Sequence, residues 1–385
     1  MTPTRRAVLA ASVGGVAGLA VLGGTVRRRT RRAVPPTVPG DGDTRIGFVG
    51  DVMLGRNVND RWSGTGSSES QAGGDSASGA DPAGVWGSTL PSLRALDGLF
   101  LNLECCLSTR GERRPNRTYY FRADPEWAVP ALDTAGTAYA SLANNHLLDY
   151  GPTALLDTVD HLSEADIANA GAGADRAAAT EPTVATVGDL DIGVVAFTDQ
   201  SRSYGAGTDA PGTAWTSLDS RDPETRAVVG DALRQVRERD PDLVVASLHW
   251  GPNWEVRPSG TQRRFARWLI DAGVDVVHGH SAHVIQGIEV YRGRPIVYDI
   301  GDYVDDYVIK PDLHNDRSVR VELAIEDGRL ERLCVAPVEI VDERVDRATG
   351  DAAAWVRDRV RTLSEEFGTT VERDGRGLSI PLAAD

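Results

Sequence analysis

Lysine is nearly missing from this 385-residue chain, where Lys310 stands alone against 40 arginines. Cysteine is scarce too: there are three, of which Cys105 and Cys106 are adjacent. Three thiols exclude a disulfide scaffold, a four-thiolate zinc site and an iron–sulfur cluster. Basic charge is short, 41 Lys and Arg against 56 Asp and Glu, for a net charge of −15. Residues 1–32 hold seven arginines and no acid, so the remaining 353 carry −15 − 7 = −22. A body that acidic argues against nucleic acid as partner, because neutralising phosphates takes basic patches. Aspartate outnumbers glutamate 38 to 18, a mix that fits a salt-adapted or high-GC host and speaks of solvent. Internal repeats are lacking as well. What is present is 41% apolar residues, enough for a sizeable core in one large domain or two.

Thr4-Arg5-Arg6-Ala7 opens an uncharged run from Ala7 to Val26. A twin arginine before an apolar stretch is similar to a twin-arginine export signal, and about 20 apolar residues can also span a bilayer. The expectation is a signal or membrane anchor over 1–32 with an extracytoplasmic body. Arg27, Arg28, Arg29, Arg31 and Arg32 support the opposite orientation, since a basic flank stays in the cytoplasm. A Pro-rich linker follows over 33–44. Residues 63–84, rich in Gly, Ser, Ala and Asp, read as a flexible surface insertion.

Beyond the linker, short apolar runs alternate with helical stretches at Pro125–Thr134, Gly151–Glu164, Pro223–Arg239 and Thr261–Ala272. That alternation predicts an α/β fold with mixed sheets, one domain or two sheets face to face. The last third is strand-rich, with a hairpin turn at Glu326-Asp327-Gly328-Arg329. A closing helix and tail take up 346–385.

Polar residues collect where strands end, the usual place for sites in α/β folds. Asp51, Glu104, the Asn144-Asn145-His146 run, His249 and the His278–His283 segment each follow a candidate strand. Four of the seven histidines fall within residues 249–283, and with His146 they make five at strand ends. His161 and His314 read as bystanders. Taken singly, each residue has an ordinary role, Asn144 or Asn145 as a helix cap and His249 as a core histidine. Taken together, Asp51, Glu104, Asn145, His249, His280 and His283 supply the ligands for two divalent ions. Mixed N and O donors without thiolate suit Mn, Fe, Zn or Mg. His146 is placed to protonate a leaving oxygen.

These residues, in this order, resemble the poly-γ-glutamate capsule biosynthesis (CapA) family of the metallophosphatase superfamily. The resemblance runs from Gly50-Asp51-Val52-Met53-Leu54-Gly55-Arg56 through Asn102-Leu103-Glu104, Ala143–His146 with Asp149-Tyr150-Gly151, and His249-Trp250-Gly251. It continues through His278–His283 to Pro295-Ile296-Val297-Tyr298-Asp299-Ile300-Gly301-Asp302-Tyr303 and covers about 45–310. It implies a four-layer α/β/β/α sandwich over 45–345 with a two-metal site. Asp51, Glu104, Asn145, His249, His280 and His283 would be ligands, His146 the proton donor and Arg56 a fork for phosphate or carboxylate. Asp302 lies where the family closes its site. Two departures stand out: Gly279-His280-Ser281-Ala282-His283 where many members read Gly-x-His-Pro-His, and Gly301-Asp302-Tyr303 where many read Gly-Asn-Phe. The implied function is a metal-dependent hydrolase in cell-surface polymer metabolism, acting on an acidic polymer or a phosphoester, with other capsule-assembly proteins as partners. A non-catalytic surface protein gripping an acidic polymer and a cytoplasmic phosphoesterase are the competing readings.

Overall fold

A computed structural model describes residues 43–64 and 81–382. The signal or anchor segment, most of the linker and most of the 63–84 insertion lie outside the described residues. The insertion's last residues are structured, contrary to the flexible reading: Asp81 caps a 3₁₀ helix, Pro82–Thr89, that buries Ala83, Val85 and Trp86.

Two mixed sheets form the body, one of ten strands and one of six. In the larger, Thr44–Val52 runs parallel to Gly98–Leu103, which is parallel to Thr137–Ser141 and then Ala168–Ala170. On its other side the antiparallel pair Arg317–Glu326 and Arg329–Ile340 extends the sheet. In the smaller, Leu190–Thr198, Leu243–His249, Val276–His280 and Arg294–Val297 are parallel, with antiparallel strands at both edges. Apolar runs such as Leu243-Val244-Val245-Ala246 suit these strands because both faces of a central parallel strand are covered.

The inner faces pack together through Ile46, Phe48, Phe100, Ile192, Val194 and Val245. Helices Pro125–Thr134 and Gly151–Glu164 cover the outer face of the large sheet through Trp127, Ala131, Leu132 and Leu155. Helices Pro223–Arg237 and Gly260–Asp271 cover the small sheet through Val229, Leu233, Phe265 and Leu269. The architecture is therefore the four-layer α/β/β/α sandwich. Local sequence explains the helix starts: Asp124 and Asp222 accept from the backbone N–H groups of Glu126 and Glu224, each with proline at the first helical position. Ser259 and Gln262 close a capping box.

The C-terminal region differs from the helix and tail read in the sequence. The helix, Gly350–Glu365, buries Val356 and Val360 against the inter-sheet core. The supposed tail is a hairpin whose strand Gly377–Pro381 pairs with Arg329–Ile340 and buries Leu378 and Ile380. Among the described residues, no helix is long and apolar enough to cross a membrane.

Candidate metal centre

The carboxyl ends of strands from both sheets converge at one place. Asp51 lies in register with Asn102 on one neighbouring strand and with Asp302 on the other. Across the gap, His249 is in register with His280. The turn after His280 then brings His283 back toward Asp51, whose Oδ2 lies 3.3 Å from His283 Nδ1.

Two groups of candidate ligands result, and Asp51 belongs to both. One joins Asp51, His249 and His280; the other joins Asp51, Glu104, His283 and Asp302. Asp51 Oδ1 is 3.7 Å from His249 Nδ1 and 3.6 Å from His280 Nδ1. Glu104 reaches toward both groups, with Oε1 3.5 Å from His249 Nε2 and Oε2 3.9 Å from His283 Nδ1. Asn145 joins them from above: its amide oxygen is 2.8 Å from His249 Nε2. Asp302, placed by the resemblance where the family closes its site, lies 2.7 Å from His283 Nδ1 and stands among the candidate ligands.

The residues present fit divalent cations. Both carboxylate oxygens of Glu104 and Oδ2 of Asp302 are buried with no hydrogen-bond partner. An uncompensated buried carboxylate costs several kcal/mol, about what a cation would relieve. Burial pushes the Glu104 carboxyl well above its ordinary value, and the Asp51 charge adds to that. Asp51 suffers the same burial, yet His249 and His283 hold it well below the usual carboxylate range. Two neighbouring carboxyls shifted in opposite directions, Glu104 up chiefly by burial and Asp51 down by its histidines, are typical of functional sites.

A supporting shell fixes these side chains. Asn102 donates to Asp51 Oδ1 at 2.7 Å, and Asn144 donates to Asn102 Oδ1 at 3.1 Å and to the Leu103 carbonyl at 2.8 Å. Ser247 Oγ sits 3.0 Å from His280 Nε2, leaving Nδ1 to face Asp51. Asp299 accepts from the backbone of Ala282 and Gly301 and so braces the turn that carries His283. That turn is strained: Ser281 and His283 have φ of 106° and 57°, a region non-glycine residues avoid. Arg56 and Trp254 share the feature, at 53° and 70°.

His146 stands just outside the carboxylates. Its Nδ1 is 2.7 Å from Asp149 Oδ2, which turns Nε2 toward Glu104 Oε1 at 3.8 Å. Burial pushes its pKa down to about 4 despite Asp149, so the ring rests neutral. Arg56 pairs with Asp306 through Nε at 3.1 Å and packs over the Phe121 ring. Arg56, His146 and Asn145 line one cavity.

His278 is in neither ligand group, although its ring packs edge-on against His280 at 5.2 Å. Its Nε2 lies 2.9 Å from the Val49 carbonyl and its ring packs on Phe48, so it ties one sheet to the other. His161 and His314 are in neither ligand group. Sequence reasoning passed over Asp149, Ser247 and Asp299. Asp149 and Asp299 fall inside the stretches that resemble the family, whereas Ser247 sits unmarked within an apolar strand.

An acid–histidine centre sharing one aspartate, at the joined ends of two packed mixed sheets, defines a protein of metallophosphatase type. The chain belongs to the bacterial capsule synthesis family: residues 45–307 match the family described as Bacterial capsule synthesis protein PGA_cap. A "probable polyglutamine synthesis accessory protein" of Mycobacterium tuberculosis is 37% identical over 303 residues, which cover 74% of this chain and 78% of that protein. The capsule biosynthesis protein CapA of Bacillus anthracis is 28% identical over 262 residues, 67% of this chain and 59% of that one. The PGA biosynthesis protein CapA of Bacillus subtilis is 29% identical, with 67% and 62% covered.

Proposed function

We propose that this chain is a metal-dependent hydrolase acting in the synthesis or anchoring of an acidic cell-surface polymer of the poly-γ-glutamate kind. The observation that carries the reading is Glu104, buried with neither carboxylate oxygen hydrogen-bonded, in one of two ligand groups that share Asp51. Asp51, Glu104, Asn145, His249, His280 and His283, with Asp302, would hold two divalent ions, which when bound supply Lewis acidity and lower the pKa of water.

The chain's own residues do the rest. Asp149 holds the His146 ring so that Nε2 faces the carboxylate cluster. The neutral ring takes up a proton at Nε2 from the attacking water and passes it to the leaving oxygen, while Asp149 stabilises the charged form between the two steps. Arg56, fixed by Asp306, offers its remaining guanidinium N–H groups to an anionic substrate oxygen. Phe121, packed edge-on to His146 at 4.2 Å, keeps water from that side.

The names of the relatives support the polymer, and the ligand geometry supports hydrolysis. A surface protein that grips an acidic polymer without cleaving it is the second reading, favoured by the cations lining the cavity. Turnover separates the two: phosphomonoesters, phosphodiesters and γ-glutamyl amides are assayed with and without chelator. Chelator-sensitive cleavage is expected, and a fully loaded protein that cleaves none of them would establish the gripping role instead. The body is proposed to lie outside the cytoplasm, held or exported through the twin-arginine segment. Protease added to spheroplasts should digest it, and protection would place it inside.

A further inference from the structure

The cavity above the candidate centre has a volume of about 490 Å³. Its inner wall includes the buried His146 and the half-buried Asn145 and Tyr307; its rim includes the exposed Tyr119, Val308 and Lys310. Three cations line it, Arg56, Arg117 and Lys310, in a body whose formal charge is −22. They are not equivalent. Arg56 is paired with Asp306, and Arg117 lies 3.2 Å from Asp149 and donates to the Asn145 carbonyl at 2.8 Å. Lys310 is the chain's single lysine, and among the described residues no carboxylate pairs with it. Its ammonium instead lies 4.8 Å from the centroid of the Trp254 ring.

Trp254 couples that position to the centre. Its ring packs against His283 at 5.3 Å and against Tyr307 at 5.9 Å. Its backbone N–H donates to the Ala282 carbonyl at 2.8 Å, holding the residue at φ 70°. A cation seated on an aromatic face is oriented without being neutralised, and all its N–H donors stay available. The rim beside it mixes exposed polar residues, Asn116, Thr118 and Asn253, with exposed apolar ones. Tyr119 and Val308 line the mouth, Ile309 precedes Lys310, and all three are more than half exposed. Exposed apolar side chains around a free cation favour a ligand with both characters.

We propose that Lys310 on Trp254 is a second anion-binding position, taking a ligand chain with at least two anionic groups joined by an apolar spacer. One group lies at the centre beside Arg56, the next reaches Lys310, and the spacer lies along Val308 and Tyr119. This rests on the centre being where an anionic group is processed. Carboxylate and phosphate chains share the chemistry, and Lys310 sets the preference for a chain over a single anion.

The lone lysine makes the test direct. In these 385 residues, amine acylation can mark only Lys310 and the N-terminal amine, and peptide mass spectrometry separates the two. Acylation is followed with a γ-linked glutamate hexamer, a short polyphosphate, glutamate and inorganic phosphate. One of the two chains should slow Lys310 acylation ~10-fold or more, the scale of one charge-assisted contact, while both single anions leave it unchanged. Lys310→Glu should weaken binding of that chain ~10-fold, with Lys310→Arg retaining most of it. Unchanged acylation with every probe, or equal protection by a single anion, would overturn the proposal. Protection does not require cleavage, so a protein that fails as a hydrolase still answers this question.

Discussion

The space between the two sheets has two ends of opposite character. At one end Phe48, Phe100, Val194 and Val245 fill it with apolar side chains. At the carboxyl ends of strands in the same two sheets, Asp51, Glu104, His249 and His280 fill it with charge and lone pairs. His278 and His280 show the change within one strand. Both are buried on the same side, yet His278 is spent on the Val49 carbonyl and Phe48 while His280 keeps Nδ1 toward Asp51. The first end makes the fold stable. The second holds unpartnered carboxylates and strained turns that the first end must support.

Substitutions at each end should therefore fail in different ways. Phe48→Ala leaves a cavity in the apolar end and should cost ~3–5 kcal/mol in chemical denaturation, with metal binding kept in the fraction that folds. Equal loss of metal and stability would merge the two ends into one unit. His146→Ala should keep the metals and the fold and lower turnover ~10²–10⁴-fold, read by metal analysis beside kinetics. Metal loss in that variant would make His146 a ligand. Ser247→Ala removes the partner of His280 Nε2 and should weaken metal affinity ~10–100-fold with little change in stability. The smallest effect sharpens the comparison most: Glu104→Gln should stabilise the metal-free protein by ~1–3 kcal/mol at most in chemical denaturation, while reducing metal uptake. A metal-free variant less stable than the parent would show that Glu104 is not an uncompensated charge.

Much of this was legible in the sequence. The helices Pro125–Thr134 and Gly151–Glu164 follow from their flanking Asp, Pro and Gly residues, and the apolar runs mark the central strands. The ligand set was legible because each member stands at the carboxyl end of a strand or in the turn just after one. What escaped depends on pairing between distant segments. Asp302 joins the ligands because its short strand lies beside Thr44–Val52, which three residues of sequence do not announce. The hairpin ending at Pro381 escaped because Glu372, Arg373 and Asp374 are exposed and polar, with only Leu378 and Ile380 carrying the burial. Lys310 was conspicuous as the only lysine, but its place over Trp254 belongs to the folded loop.

Metal content tests the central claim most directly. The purified protein is loaded with manganese, iron or zinc, freed of excess, and counted by mass spectrometry beside Asp51→Ala. About two ions per chain are predicted, falling toward none in the variant because Asp51 belongs to both ligand groups. No bound metal in the parent, or the same count in Asp51→Ala, would contradict the account.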